Sequence, residues 1–100
     1  MGGVQLYLVH VGYYDAGLGQ GIFESHADLI VAASSFEEAR TKAKAKGLEF
    51  GQKVHIDGML RIDAVEGLKV SLEFDANLDG STVLTSNKER ELAPKPALTL

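Results

Sequence analysis

Between Val4 and Tyr14 the chain carries apolar side chains on both faces of an extended strand. Val4, Leu6 and Leu8 fall on one side; Tyr7, Val9, Val11 and Tyr13 fall on the other. A strand at the surface of a sheet alternates apolar with polar. One that is apolar on both faces belongs in the interior, covered above and below. His10 interrupts the Val4–Leu8 face. The strand then breaks into a loop with three glycines in residues 17–21, where backbone freedom is high.

A second strand is expected over Glu24–Ala33. Glu24, His26 and Asp28 alternate on one face, and Leu29–Ala33 is apolar. A helix follows. Ser34 and Ser35 each precede a glutamate by three residues (Glu37, Glu38), so either can form a capping box. Phe36, Ala39 and Ala43 keep the spacing of a buried stripe, with Phe36 as its largest anchor, and Gly47 supplies a left-handed helix end. Residues 53–64 alternate as a half-buried strand, with Val54, Ile56, Gly58, Leu60 and Ile62 inward. His55, Asp57, Met59 and Arg61 share the other face. Glu66-Gly67 is a two-residue turn into a returning strand with Leu68, Val70, Leu72 and Phe74 inward. Residues 81–86 are a candidate fifth edge strand.

This order predicts class α+β: a single small β-β-α-β-β sheet with one helix packed on one face. With 100 residues and 45% apolar content, one thin-cored domain is expected over 1–86, with 87–100 as an extended or disordered tail. One helix cannot cover both faces of the sheet. The first strand therefore implies that the tail or a second copy covers the other face, and a homodimer is the expected assembly. The chain has no cysteine, so disulfides and thiolate chemistry are excluded. No apolar run is long enough for a membrane helix. Met1-Gly2-Gly3-Val4 lacks the basic start of a secretory leader, so the cytoplasm is the expected location and no membrane partner is expected. A net charge of −4 argues against nucleic acid.

Three pieces carry a family resemblance. They are the strand ending at Val11-Gly12; the stretch Glu24-Ser25-His26-Ala27-Asp28-Leu29-Ile30-Val31-Ala32 leading to Ser35-Phe36-Glu37-Glu38-Ala39; and His55-Ile56-Asp57-Gly58 followed by Val65-Glu66-Gly67-Leu68. Over residues 6–72 the chain resembles the bacterial family called domain of unknown function 1543. The Glu-x-His and His-Ile-Asp elements are its most specific parts. The resemblance implies a grouping and brings no reaction, ligand or cofactor with it.

The chemistry-bearing candidates are Glu24, His26, Asp28, His55 and Asp57. Glu24, His26 and Asp28 point one way from their strand, as do His55 and Asp57 from theirs. If the two strands are neighbours, His26 and His55 converge at one end of the sheet. Catalysis would then use His26 and His55 with Glu24 or Asp57 as acid and base. A metal such as zinc, manganese or iron would use His26, His55 and Asp28. Against both stands the plain alternative that each histidine closes the sheet end through a local hydrogen bond.

Asp75, Asn77 and Asp79 with Gly80 fit the opening of a calcium loop, but Ser86 stands where the closing glutamate belongs, and the same residues make ordinary turns. The glycine loop fits neither phosphate-binding signature; a flap over the histidines and a plain hairpin loop both remain open. Arg40, Lys42, Lys44, Lys46 and Lys53 are accounted for by the helix dipole and solubility. Ala97-Leu98-Thr99-Leu100 is either a strand-adding segment or disordered. The expected role is a non-enzymatic binding or assembly domain without a resident cofactor, with an unidentified small-molecule ligand open. The alternative is a small enzyme, or a weak metal site, at the histidine end.

Overall fold

The structure, a computed structural model, describes residues 3–17 and 19–87. The expected tail, with its Ala97–Leu100 segment, lies outside the described residues from Lys88 onward. The class is α+β. Strand β1 (Gln5–Tyr14) lies between β2 (Glu24–Ala33) and β3 (His55–Arg61) in an antiparallel sheet of order β2-β1-β3, with helix α1 (Phe36–Glu49) after β2. Short strands β4 (Ala64–Val65) and β5 (Leu68–Lys69) pair with each other in a separate two-strand sheet. Their hairpin is closed by Glu66 and Gly67, both at positive φ (51° and 83°), the pattern of the tight turn expected there.

β1 is central, with a neighbour paired on each edge. Tyr7, Val9 and Val11 are fully buried against Val31 and Ala33 of β2 and Ala39 and Ala43 of α1. Burying each valine contributes about 1.5–3 kcal/mol, so this layer is the main stabilising contact of the fold. The alanines let the helix lie close to the sheet. Phe36 is half-exposed at the margin, its ring edge-on to Tyr7 at 5.0 Å with the Arg61 guanidinium 5.6 Å from its centroid. Both serines take part in the helix start. Ser35 Oγ accepts from the Glu38 amide (3.1 Å), while the Glu38 carboxylate accepts from the Ser34 amide (2.6 Å) and hydroxyl (2.8 Å). Those bonds, with Lys42 one turn on, hold the Glu38 carboxyl below its ordinary value.

Three expectations are corrected. Gly47 does not end the helix. It is buried inside α1 against Val54, and a Cβ there would stand 2.8 Å from Val54 Cγ1. The left-handed residue beyond the helix is Gly51 (φ 78°).

The second correction concerns β3, which does not alternate unbroken. His10 pairs with Gly58 and Val11 with Ile56, so Asp57 is an extra residue in a β-bulge. The bulge reverses the faces after it. Met59 packs on the core with Val54 and Ile56, while Leu60, expected inward, lies opposite Leu8 on the other face, 63% exposed.

Third, the returning strand stops at Lys69, and Phe74 is 89% exposed; residues 81–86 form no strand. α1 covers one face of the sheet; among the described residues the opposite face is open, with Leu6 and Leu8 half-buried and Ile30 and Leu60 exposed.

Candidate functional site

The open face carries the polar cluster. β2 and β3 are not neighbours, because β1 lies between them. Their backbones are thus two strand spacings apart, roughly 9–10 Å. The side chains meet nevertheless. Gly12 of β1 pairs with His26 on one side and His55 on the other. A Cβ at Gly12 would stand 2.6 Å from both Glu24 Oε2 and His55 Nε2. The space that a side chain would fill is used by the ligand-type groups of the two flanking strands. The bulge then supplies Asp57 on the same face, next to His55.

Two carboxylates each span both rings. Glu24 places Oε1 3.3 Å from His26 Nε2 and Oε2 2.6 Å from His55 Nε2. Asp57 places Oδ2 3.1 Å from His26 Nδ1 and Oδ1 3.2 Å from His55 Nε2. A third histidine completes the group. The His10 ring stacks on His26 with centroids 5.1 Å apart and planes 4° from parallel, and its Nδ1 lies 2.7 Å from Asp28 Oδ1. Tyr14 flanks His55 at 6.4 Å between ring centroids.

Electrostatics argue that this assembly is not there for stability. Each ion pair is open to water, with side chains 32–56% exposed, so each contributes at most about 1 kcal/mol. Three carboxylates gathered on one face also repel one another. The ring nitrogens are over-subscribed too. Both nitrogens of His26 face carboxylate oxygens, and a neutral imidazole has only one N–H to donate. His55 Nε2 faces two carboxylates with one hydrogen at most. For His26, protonation of the ring would supply the second N–H; a bound metal ion is the other resolution, because it can accept the ring lone pair and the carboxylate together. Donor atoms around one ion bonded at about 2.0–2.2 Å stand about 3–3.5 Å apart, the range of three of these four contacts.

Of the residues singled out in the sequence, Glu24, His26, His55 and Asp57 are brought together, and Asp28 joins them through His10. Donor atoms of His10, His26 and Asp57 lie within 4.8 Å of one another, as do those of Glu24, His55 and Asp57. His10 and Gly12 were not among the site candidates. Their signal was parity: both share the β1 face that the hairpin register sets beside Glu24, His26 and Asp28. Asp75, Asn77 and Asp79 stand apart from the cluster. Asp75 Oδ1 accepts from the Asn77 amide (2.9 Å), capping a 3-10 turn over Ala76–Leu78, and Asp79 takes the left-handed conformation. The glycine loop joins β1 to β2 with a 3-10 turn at Gly19–Gly21, at the Glu24 end of the sheet.

A family model described as Domain of Unknown Function (DUF1543) matches residues 22–72, the stretch from the start of β2 past β5. It includes every residue of the cluster except His10 and Gly12. No curated protein and no solved structure matches the chain.

Proposed function

The chain belongs to the family described as Domain of Unknown Function (DUF1543), and we propose that it is a binding domain whose ligand is a divalent transition-metal ion held on the open sheet face. The observation that carries this reading is the Gly12 notch. It lets Glu24 of one flanking strand and His55 of the other share the space above one backbone position, where both also contact His26 or Asp57. The donor set is nitrogen and oxygen without sulfur, which suits zinc, manganese or ferrous iron. Two histidines also have a carboxylate on a ring nitrogen in the manner that orients metal ligands: Asp28 on His10 and Glu24 on His26. The chain's own part in this role is binding rather than turnover. Pairing of two chains across the face that exposes Ile30 and Leu60 accompanies the reading, and light scattering showing a monomer at high micromolar concentration would refute that pairing.

The test is thermal unfolding of metal-stripped protein with added Zn²⁺ or Mn²⁺. A ligand at a hundred times its Kd stabilises the native state by about 2.7 kcal/mol. A rise in Tm that grows with metal concentration and is absent in a His26→Ala/His55→Ala double variant is expected. No rise, or an equal rise in the double variant, overturns the proposal.

A further inference from the structure

We propose that the cluster takes two divalent metal ions side by side, bridged by Asp57; the inference rests on the metal-binding reading above and specifies it. The two donor groups on the sheet share only Asp57: His10 and His26 complete one, Glu24 and His55 the other. Asp57 turns its two oxygens to different rings, Oδ2 to His26 Nδ1 at 3.1 Å and Oδ1 to His55 Nε2 at 3.2 Å. A carboxylate that presents one oxygen to each of two imidazole nitrogens has the form of a bridging ligand. Its position comes from the bulge, which inserts Asp57 without a partner on β1 and leaves its side chain free to lie between the two groups.

The remaining contacts fit outer roles. With Asp57 on His26 Nδ1, His26 Nε2–H is left to donate to Glu24 Oε1, and Glu24 Oε2 remains beside His55. With Asp28 on His10 Nδ1, His10 is left with Nε2 as its free lone pair. Each ion then has three protein ligands, and two ions bridged by one carboxylate stand about 3.5–4 Å apart, as in two-metal sites generally. A single ion does not take up this whole set, because the donor atoms fall into two groups with only Asp57 in common.

The experiment uses the full chain, stripped of metal. Zn²⁺ stoichiometry is measured by equilibrium dialysis, and Mn²⁺ loading is followed by electron paramagnetic resonance. Two Zn²⁺ per chain, and loss of the six-line Mn²⁺ signal to a broad spin-coupled one at full loading, are expected. Asp57→Asn and, separately, His10→Ala should each reduce the stoichiometry to one and abolish the coupled signal. These residues are exposed, so circular dichroism should show both variants folded. One ion per chain with an uncoupled spectrum would overturn the bridged pair while leaving the metal-binding function intact. Two uncoupled ions, unaffected by Asp57→Asn and His10→Ala, would also overturn it. No binding would overturn both.

Discussion

Gly12→Ala separates the two roles a residue at this position can have. Gly12 lies in the middle of β1 and its φ is not among the positive ones, so alanine is compatible with the backbone. Replacing glycine in such a conformation stabilises by about 0.4–1 kcal/mol, through the unfolded chain. Against this, the added methyl stands 2.6 Å from Glu24 Oε2 and 2.6 Å from His55 Nε2, with His55 Cε1 at 2.8 Å. These are the far ends of half-exposed side chains, which can swing away. The cost is the Glu24–His55 contact, about 0.2–1 kcal/mol for an exposed pair. The two effects nearly cancel. In metal-free protein Tm should therefore move by no more than a few degrees, since 1 kcal/mol corresponds to about 4–8 °C in a domain of this size. Metal affinity should behave differently. Moving Glu24 and His55 apart by the ångström the methyl demands disrupts first-row coordination outright. The loss should reach at least the 10–100-fold typical of disturbing a metal ligand's support. Calorimetric titration with Zn²⁺ alongside thermal unfolding reads both quantities. Unchanged affinity, or a fall in Tm beyond about 8 °C, would refute the reasoning, because the notch would then serve packing rather than the cluster.

Two further expectations follow from the helix. Gly47→Ala should destabilise by roughly 1–2 kcal/mol despite alanine's higher helix propensity, because its Cβ meets both methyls of Val54 (2.8 and 3.0 Å) and the Gln52 carbonyl (3.1 Å), neither free to withdraw; a higher Tm in the variant would show that this contact relaxes freely. The Glu38 carboxyl is held below its ordinary value of 4.5, first by the Ser34 amide. Its charge therefore adds stability that is present above that value and lost as pH falls through the lower folded one. In metal-free protein, Glu38→Gln should accordingly lower Tm near neutral pH and flatten the loss of Tm below pH 4.5; an unchanged slope there would deny Glu38 any part in the acid limb.

Much of the fold was legible because local pattern and tertiary need agree. β1 reads as interior from Tyr7, Val9 and Val11 against Leu6 and Leu8, and it is the middle strand. The helix start reads from Ser34, Ser35 and Glu38, and the hairpin from Glu66-Gly67. Four site residues read from alternation, since Glu24 and His26, and His55 and Asp57, must each share a face.

What the sequence determined by itself was therefore local: which residues extend, which coil, and which side chains leave a strand in the same direction. Those follow from backbone sterics and the two-residue period of a strand. Only the tertiary structure decided which strands lie beside which, where the register of β3 slips, and how far the returning strand runs. Each of these depends on partners distant in the chain. The bulge at Asp57 reverses every face after it, which no alternation within 53–64 reveals. Gly12 acquires its meaning only when two strands pair on either side of it, for an absent side chain is a feature solely in relation to what occupies its place.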